Sequence, residues 1–166
     1  MRYQALILQS EIGLVGEITK LAFQAYISSG GSFNNVHVYL CHTSVDSLST
    51  SFEANYGGND PGEVFYAPTK SMSGSAESWA DIVFDDPFYY NNSDNLLVEI
   101  KWSGGSGVFY TYTSNTPGYY SCGYAKSYSA PTMTYQNQWH NRFRLTIEPA
   151  DEVQPDSLGK LRSLYH

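Results

Sequence analysis

Side chains with metal-binding or proton-transfer chemistry gather first between residues 81 and 102, DIVFDDPFYYNNSDNLLVEIKW. Asp85, Asp86, Asn91 and Asp94 offer carboxylate and amide oxygens, with Asn92 and Asn95 beside them and Asp60 further away. Calcium takes about six to eight oxygen ligands of this kind. The spacing is not that of an EF-hand loop. The same residue types cap backbone groups in polar turns. The segment therefore reads in two ways, as a calcium-holding loop or as a turn that satisfies itself.

Other constellations are weaker. His37, Cys41 and His42 lie close together, but a strand puts His37 and Cys41 on one face and His42 on the other, and the spacing matches no standard zinc set. No G-x-S-x-G elbow positions a serine nucleophile. Glu63, Asp81, Asp85 and Glu99 are the carboxylates a glycoside hydrolase would have to bring across a cleft. Glu99 alternates with Val98 and Ile100, which predicts a solvated strand position. No catalytic set emerges.

The aromatic residues carry the stronger lead. Tyrosine supplies 15 residues of the chain, and Tyr110, Tyr112, Tyr119, Tyr120, Tyr124, Tyr128, Tyr135 and Trp139 crowd its last third. Sugar rings stack on such faces while amides bond the hydroxyls. Gln136-Asn137-Gln138-Trp139 offers both in one segment. Trp139, Tyr119, Tyr120, Tyr124, Gln136 and Asn137 are the expected ligand-binding set. Many of these rings also suit cross-strand pairs and inter-sheet packing, and exposed ones suit a protein interface.

These side chains need a scaffold, and the periodicity describes one. Ile82 and Phe84 alternate with Val83 and Asp85; Leu96, Val98, Ile100 and Trp102 alternate with Leu97, Glu99 and Lys101. A period of two marks half-buried strands. Further runs lie at Tyr3–Gln9, Glu17–Ile27, Val36–His42, Glu63–Pro68, Val108–Thr113, Tyr119–Tyr124, Met133–Gln136 and Arg142–Ile147. Ser28–Ser32 and Gly105-Ser106-Gly107 read as loops, and Val45–Phe52 as one helical turn. About ten strands without a long helix predict an all-β, antiparallel β-sandwich, jelly-roll-like, over residues 1–147. A βαβ rhythm and a Gly-rich phosphate loop are both missing, which excludes a nucleotide-binding α/β fold. Residues 148–166 read as a linker or as a tail that docks on another copy.

Bulk properties narrow the partners. The 166 residues carry a formal charge of −7, and charged residues are only 15%. Without a basic stripe, neither nucleic acid nor an anionic membrane is an expected partner. No run approaches the ~18 apolar residues of a membrane span. Met1-Arg2-Tyr3 leads straight into a strand, so the sequence reads as cytosolic or as a mature domain with an added Met; the composition favours the second. Cys41 and Cys122 either pair in an oxidising compartment or stand as separate thiols.

Three segments carry a resemblance. Arg2–Phe23 does so through Gln4, Glu11-Ile12-Gly13, Gly16, Ile18 and Leu21-Ala22-Phe23; the second is Val36–Leu40 with Phe52–Phe65. The third is Trp79–Trp102, through Pro87-Phe88, Tyr90-Asn91 and Asn95–Ile100. Together with the closing strand Asn141–Ile147, they resemble a β-sandwich accessory module of secreted bacterial and archaeal surface proteins, carried by type IX secretion cargo and similar in pattern to cleaved-adhesin jelly rolls. The resemblance implies an extracellular or cell-surface, non-catalytic module with no active-site motif. The expected partner is a polysaccharide or a cell-surface protein. The alternative is a self-assembling subunit of an extracellular filament or surface layer, which meets further copies through residues 148–166.

Overall fold

Alternating apolar runs bury one face of a strand, and here they build two stacked layers. The structure, a computed structural model, describes residues 1–149; the tail expected over 148–166 lies almost wholly outside the described residues. Twelve strands form: β1 (Arg2–Ile7), β2 (Gly16–Gln24), β3 (Ser29–Thr43), β4 (Gly62–Gly74), β5 (Trp79–Tyr90), β6 (Asn95–Lys101), β7 (Gly104–Val108), β8 (Thr113–Asn115), β9 (Cys122–Ala125), β10 (Tyr135–Asn137), β11 (Trp139–Asn141) and β12 (Phe143–Pro149). A single-turn helix, α1 (Gln9–Ile12), follows β1, and a 3-10 turn occupies Ala54–Tyr56.

The larger sheet runs β10-β9-β1-β6-β3-β4, with β7 also on β3; the smaller runs β12-β2-β5, and β8 and β11 form a separate ribbon. Every pairing is antiparallel. The fold is therefore the expected all-β antiparallel sandwich. Tyr3, Ala5 and Ile7 of β1, Val36, Val38 and Leu40 of β3 and Leu96, Val98 and Ile100 of β6 face Ile18, Leu21 and Phe23 of β2 and Ile82 and Phe84 of β5. Burying each large side chain contributes about 1.5–3 kcal/mol.

Gly and Ser runs behave differently from the loops expected of them. Ser29–Ser32 belongs to β3, and 104–108 is β7, which continues the line of β6 along β3: β6 pairs Thr43–His37 and β7 pairs Asn34–Gly30. Ladder hydrogen bonds hold these residues where no side chain is present to alternate. Gly105 has φ +149°, and a Cβ there would stand 2.2 Å from the Ser32 carbonyl oxygen; Gly107 has φ +75° and would meet the Gly30 oxygen at 2.5 Å. No residue with a side chain fits either position.

The larger sheet also buries its second face. Leu6, Cys41 and Leu97 pack there against Leu48, Phe52, Tyr56 and Met133. The expected helical turn over 45–52 is instead an irregular segment clipped to the chain on either side of β9. Leu48 N–H donates to the Tyr120 carbonyl at 2.9 Å, Phe52 N–H to Pro131 at 3.2 Å, and Met133 N–H to Thr50 at 2.7 Å. These long-range bonds satisfy the backbone in place of helical ones.

Candidate functional site

The sandwich separates several residues that the sequence sets side by side. Asp85 and Asp86 lie inside β5, whereas Asn91 and Asp94 belong to the turn beyond it. Six residues of strand span roughly 20 Å. Asp85 Oδ2 accepts the Tyr66 N–H at 3.0 Å. Asn91 Oδ1 accepts the N–H groups of Ser93 at 2.9 Å and Asp94 at 3.1 Å, and its amide nitrogen donates to Asp94 Oδ2 at 2.7 Å. The turn thus satisfies its own backbone, and the four oxygens are not brought together. Among the described residues, no three His, Cys, Asp or Glu side chains converge as a metal site.

Cys41 and Cys122 are both free and buried. Cys41 is on β3 and Cys122 on β9, with β6 and β1 between them. Three strand spacings put about 14 Å between the backbones. The thiols also face opposite sides of the sheet, Cys122 inward and Cys41 outward. The expected pairing is thus geometrically closed. Burial pushes both thiols up to about 11, which keeps them protonated at neutral pH.

The aromatic set divides by role. Tyr124 packs against the main core and stacks on Tyr135 at 5.0 Å. Tyr119 packs on the second core, and its hydroxyl donates to Glu11 Oε2 at 3.2 Å. Gln136 is an anchor, its amide donating to the Leu48 carbonyl at 2.8 Å. Trp139 and Tyr120 remain open, 50% and 46% exposed. Asn137 is exposed and accepts the Trp139 N–H at 3.2 Å.

Trp139 is next to a cleft that the sequence does not announce, although His140 and Arg142 are on its lining and Trp139 is not. In the β8–β11 ribbon it stands directly opposite Asn115, and cross-strand partners share a face. Asn115 is on the wall of a 510 Å³ cleft that also takes in Glu11, Ile12, His140, Arg142 and Leu145. The cleft thus combines an amide, a carboxylate, an imidazole and a guanidinium over an apolar floor. Glu11 is placed by α1, where its carboxylate accepts the Leu8 N–H at 2.8 Å and Gly13 ends the turn at φ +66°. Arg142 donates to Gln24 Oε1 at 2.9 Å, and its guanidinium lies 5.0 Å over the Tyr112 ring. These residues come from α1, β8, β11 and the residue before β12, so no spacing in the sequence announces them.

Glu99 is the largest departure from expectation. It is 1% exposed rather than solvated. Its Oε2 accepts from Gln4 Nε2 at 2.7 Å, Tyr56 Oη at 2.9 Å and Arg2 Nε at 3.0 Å. Lys101 Nζ forms an ion pair with Oε1 at 3.0 Å, and Oε1 accepts no hydrogen bond. Burial alone favours loss of the Arg2 proton, but the Glu99 charge and hydrogen bond outweigh it and raise its pKa. Burial and then the Glu99 charge hold the Tyr56 hydroxyl firmly protonated. Asp81 points outward from the smaller sheet, where Lys20 and Arg144 pair with it. Asp81 and Glu99 are therefore on opposite outer sides of the sandwich and share no cleft.

Comparison with known proteins returns no matching family model, no matching curated protein and no matching solved structure.

Proposed function

We propose that this chain is a non-catalytic binding module that takes a carbohydrate on the cleft beside Trp139, in an extracellular or cell-surface setting. The half-exposed Trp139 ring, outside the cleft lining but with its cross-strand partner Asn115 on the cleft wall, carries the reading. A sugar presents one apolar ring face and a rim of hydroxyls. Trp139 suits the first, and Asn115, Asn137, Glu11, His140 and Arg142 suit the second, since amides, carboxylates and planar cations accept or donate at fixed angles. The low charged fraction and the 15 tyrosines support the extracellular setting.

Glycan-array binding and polysaccharide pull-down test this. Trp139→Ala and Asn115→Ala should each weaken the signal about tenfold or more, because each removes a contact that orients the ring. Their melting temperatures should stay close to that of the unmodified protein, since both positions are at the surface. Absence of binding to every glycan presented would overturn the reading. Glycan binding that survives both substitutions would overturn the site.

A further inference from the structure

A second cavity, which shares no lining residue with the first, has a different chemistry. It arises from the topology. β1 begins at Arg2, opposite Lys101, so it accompanies β6 but stops where β7 takes over. Among the described residues, β7 therefore has no strand on its second edge. The larger sheet is three strands narrower there, since β9 and β10 stop with β1, and the smaller sheet beneath is left partly uncovered. The opening is a 570 Å³ cavity whose walls include Phe23, Phe33, Met72, Ile100, Trp102 and Phe109. Its size falls within the usual range for small-molecule sites, roughly 300–1,000 Å³.

The charges at this opening are of one sign. Lys70 and Lys126 are on its lining, and no Asp or Glu is. The other two described lysines, Lys20 and Lys101, are held by Asp81 and Glu99. Lys70 and Lys126 have no such ion pair among the described residues. In a chain of net charge −7, both unpaired described lysines thus flank the same apolar cavity.

We propose that this cavity binds a free single-chain carboxylic amphiphile of the fatty-acid type, with its hydrocarbon chain between the sheets and its carboxylate at the rim, where Lys70 on the β4 side and Lys126 on the β9 side make the field positive. The apolar walls supply affinity through burial of methylene groups. The lysines supply the preference for an anion. Because the lysine ends are near solvent, that preference weakens with salt.

Isothermal titration of the full chain with dodecanoate, dodecanol and dodecyltrimethylammonium, each kept below micelle formation, tests the assignment. Dodecanoate should bind saturably at one site and more tightly than either matched chain. The double substitution Lys70→Glu with Lys126→Glu should weaken dodecanoate about tenfold or more at low salt and tighten dodecyltrimethylammonium. A bromine-labelled undecanoate should quench Trp102 in a Trp139→Phe background, since Trp79 lies outside the cavity beneath Arg144; this readout needs no lysine variant to fold. Trp139→Ala should leave dodecanoate affinity unchanged, which separates this cavity from the glycan cleft. Absence of saturable binding, equal affinity for the carboxylate and the ammonium, or no quenching of Trp102 would each overturn the proposal.

Discussion

The two faces of the larger sheet solve burial in opposite ways. The inner face is apolar and packs on a second sheet, which leaves an open cavity where β1 ends. The outer face is covered by two clipped loops and closes over a carboxylate, two cations, an amide and a phenol. The difference is one of tolerance. An apolar wall with a gap loses only the contacts that the gap removes. A buried charge cluster is stable only as a whole, because each member left behind keeps its desolvation cost. The inner face is therefore the one able to admit a ligand, and the outer face is the one that fixes a unique arrangement.

That contrast can be broken at its strongest point. Glu99→Ala should cost about 3–5 kcal/mol in chemical denaturation, because it removes the carboxylate that the mostly buried Arg2 and Lys101 pair with and that the Gln4 amide and Tyr56 hydroxyl bond to. Replacing Arg2, Glu99 and Lys101 together by Met, Met and Leu should recover most of that loss. A triple variant as unstable as Glu99→Ala would show that the cluster does not act as a unit. Leu40→Ala, fully buried on the inner face, should cost about 2–5 kcal/mol, and no second substitution at a polar partner should rescue it. Val83→Thr, on the exposed side of the smaller sheet, should stay within about 0.5 kcal/mol.

A smaller effect lies at the far end of the inner face. His42 Nε2 accepts the Asn91 N–H at 3.2 Å, and its ring packs on Phe88 at 4.9 Å. Burial lowers its pKa, against the opposing pull of Asp94. A histidine with a lowered folded-state pKa binds fewer protons when folded. Its contribution is present above the unfolded value of about 6.5 and fades as pH falls through the lower folded value. Denaturation midpoints should therefore drop between about pH 7.5 and pH 5, and His42→Gln should flatten that part of the curve. An unchanged slope in His42→Gln would remove His42 as the cause.

Much of this architecture was legible in the residues. Period-two runs located β2, β6 and β12 closely and the first half of β5, which continues to Tyr90, and they identified the inward side chains of β5 and β6. The outer core was signalled too, but by a departure from alternation. Ala5-Leu6-Ile7, Leu40-Cys41 and Leu96-Leu97-Val98 are apolar on both sides, the pattern of strands covered on two faces. Glu99 shares its side with Leu97 and was bound to be enclosed with it. Alternation tells which residues share a face, and it is silent on whether that face is wet. β7 and the start of β3 were hidden because Gly and Ser leave nothing to alternate. The Trp139 segment was legible, but its cleft was not, since Glu11 and Asn115 meet only after the sheets assemble.

The Glu99 cluster also bears on how the chain reaches its native state. Arg2 bonds Glu99 across 97 residues, the Ala130 carbonyl across 128 and the Tyr56 hydroxyl across 54. Contacts so distant along the chain incur loop-closure entropy before they return any stabilisation. The Glu99 bond needs β1 to have found β6, and the Ala130 and Tyr56 bonds need the covering loops as well. Arg2→Ala should accordingly speed unfolding and leave the refolding rate nearly unchanged in stopped-flow measurements. A matching fall in the refolding rate would place the cluster in the nucleus instead. On the expected outcome, the Glu99 cluster sets the lifetime of the folded molecule and plays little part in its assembly.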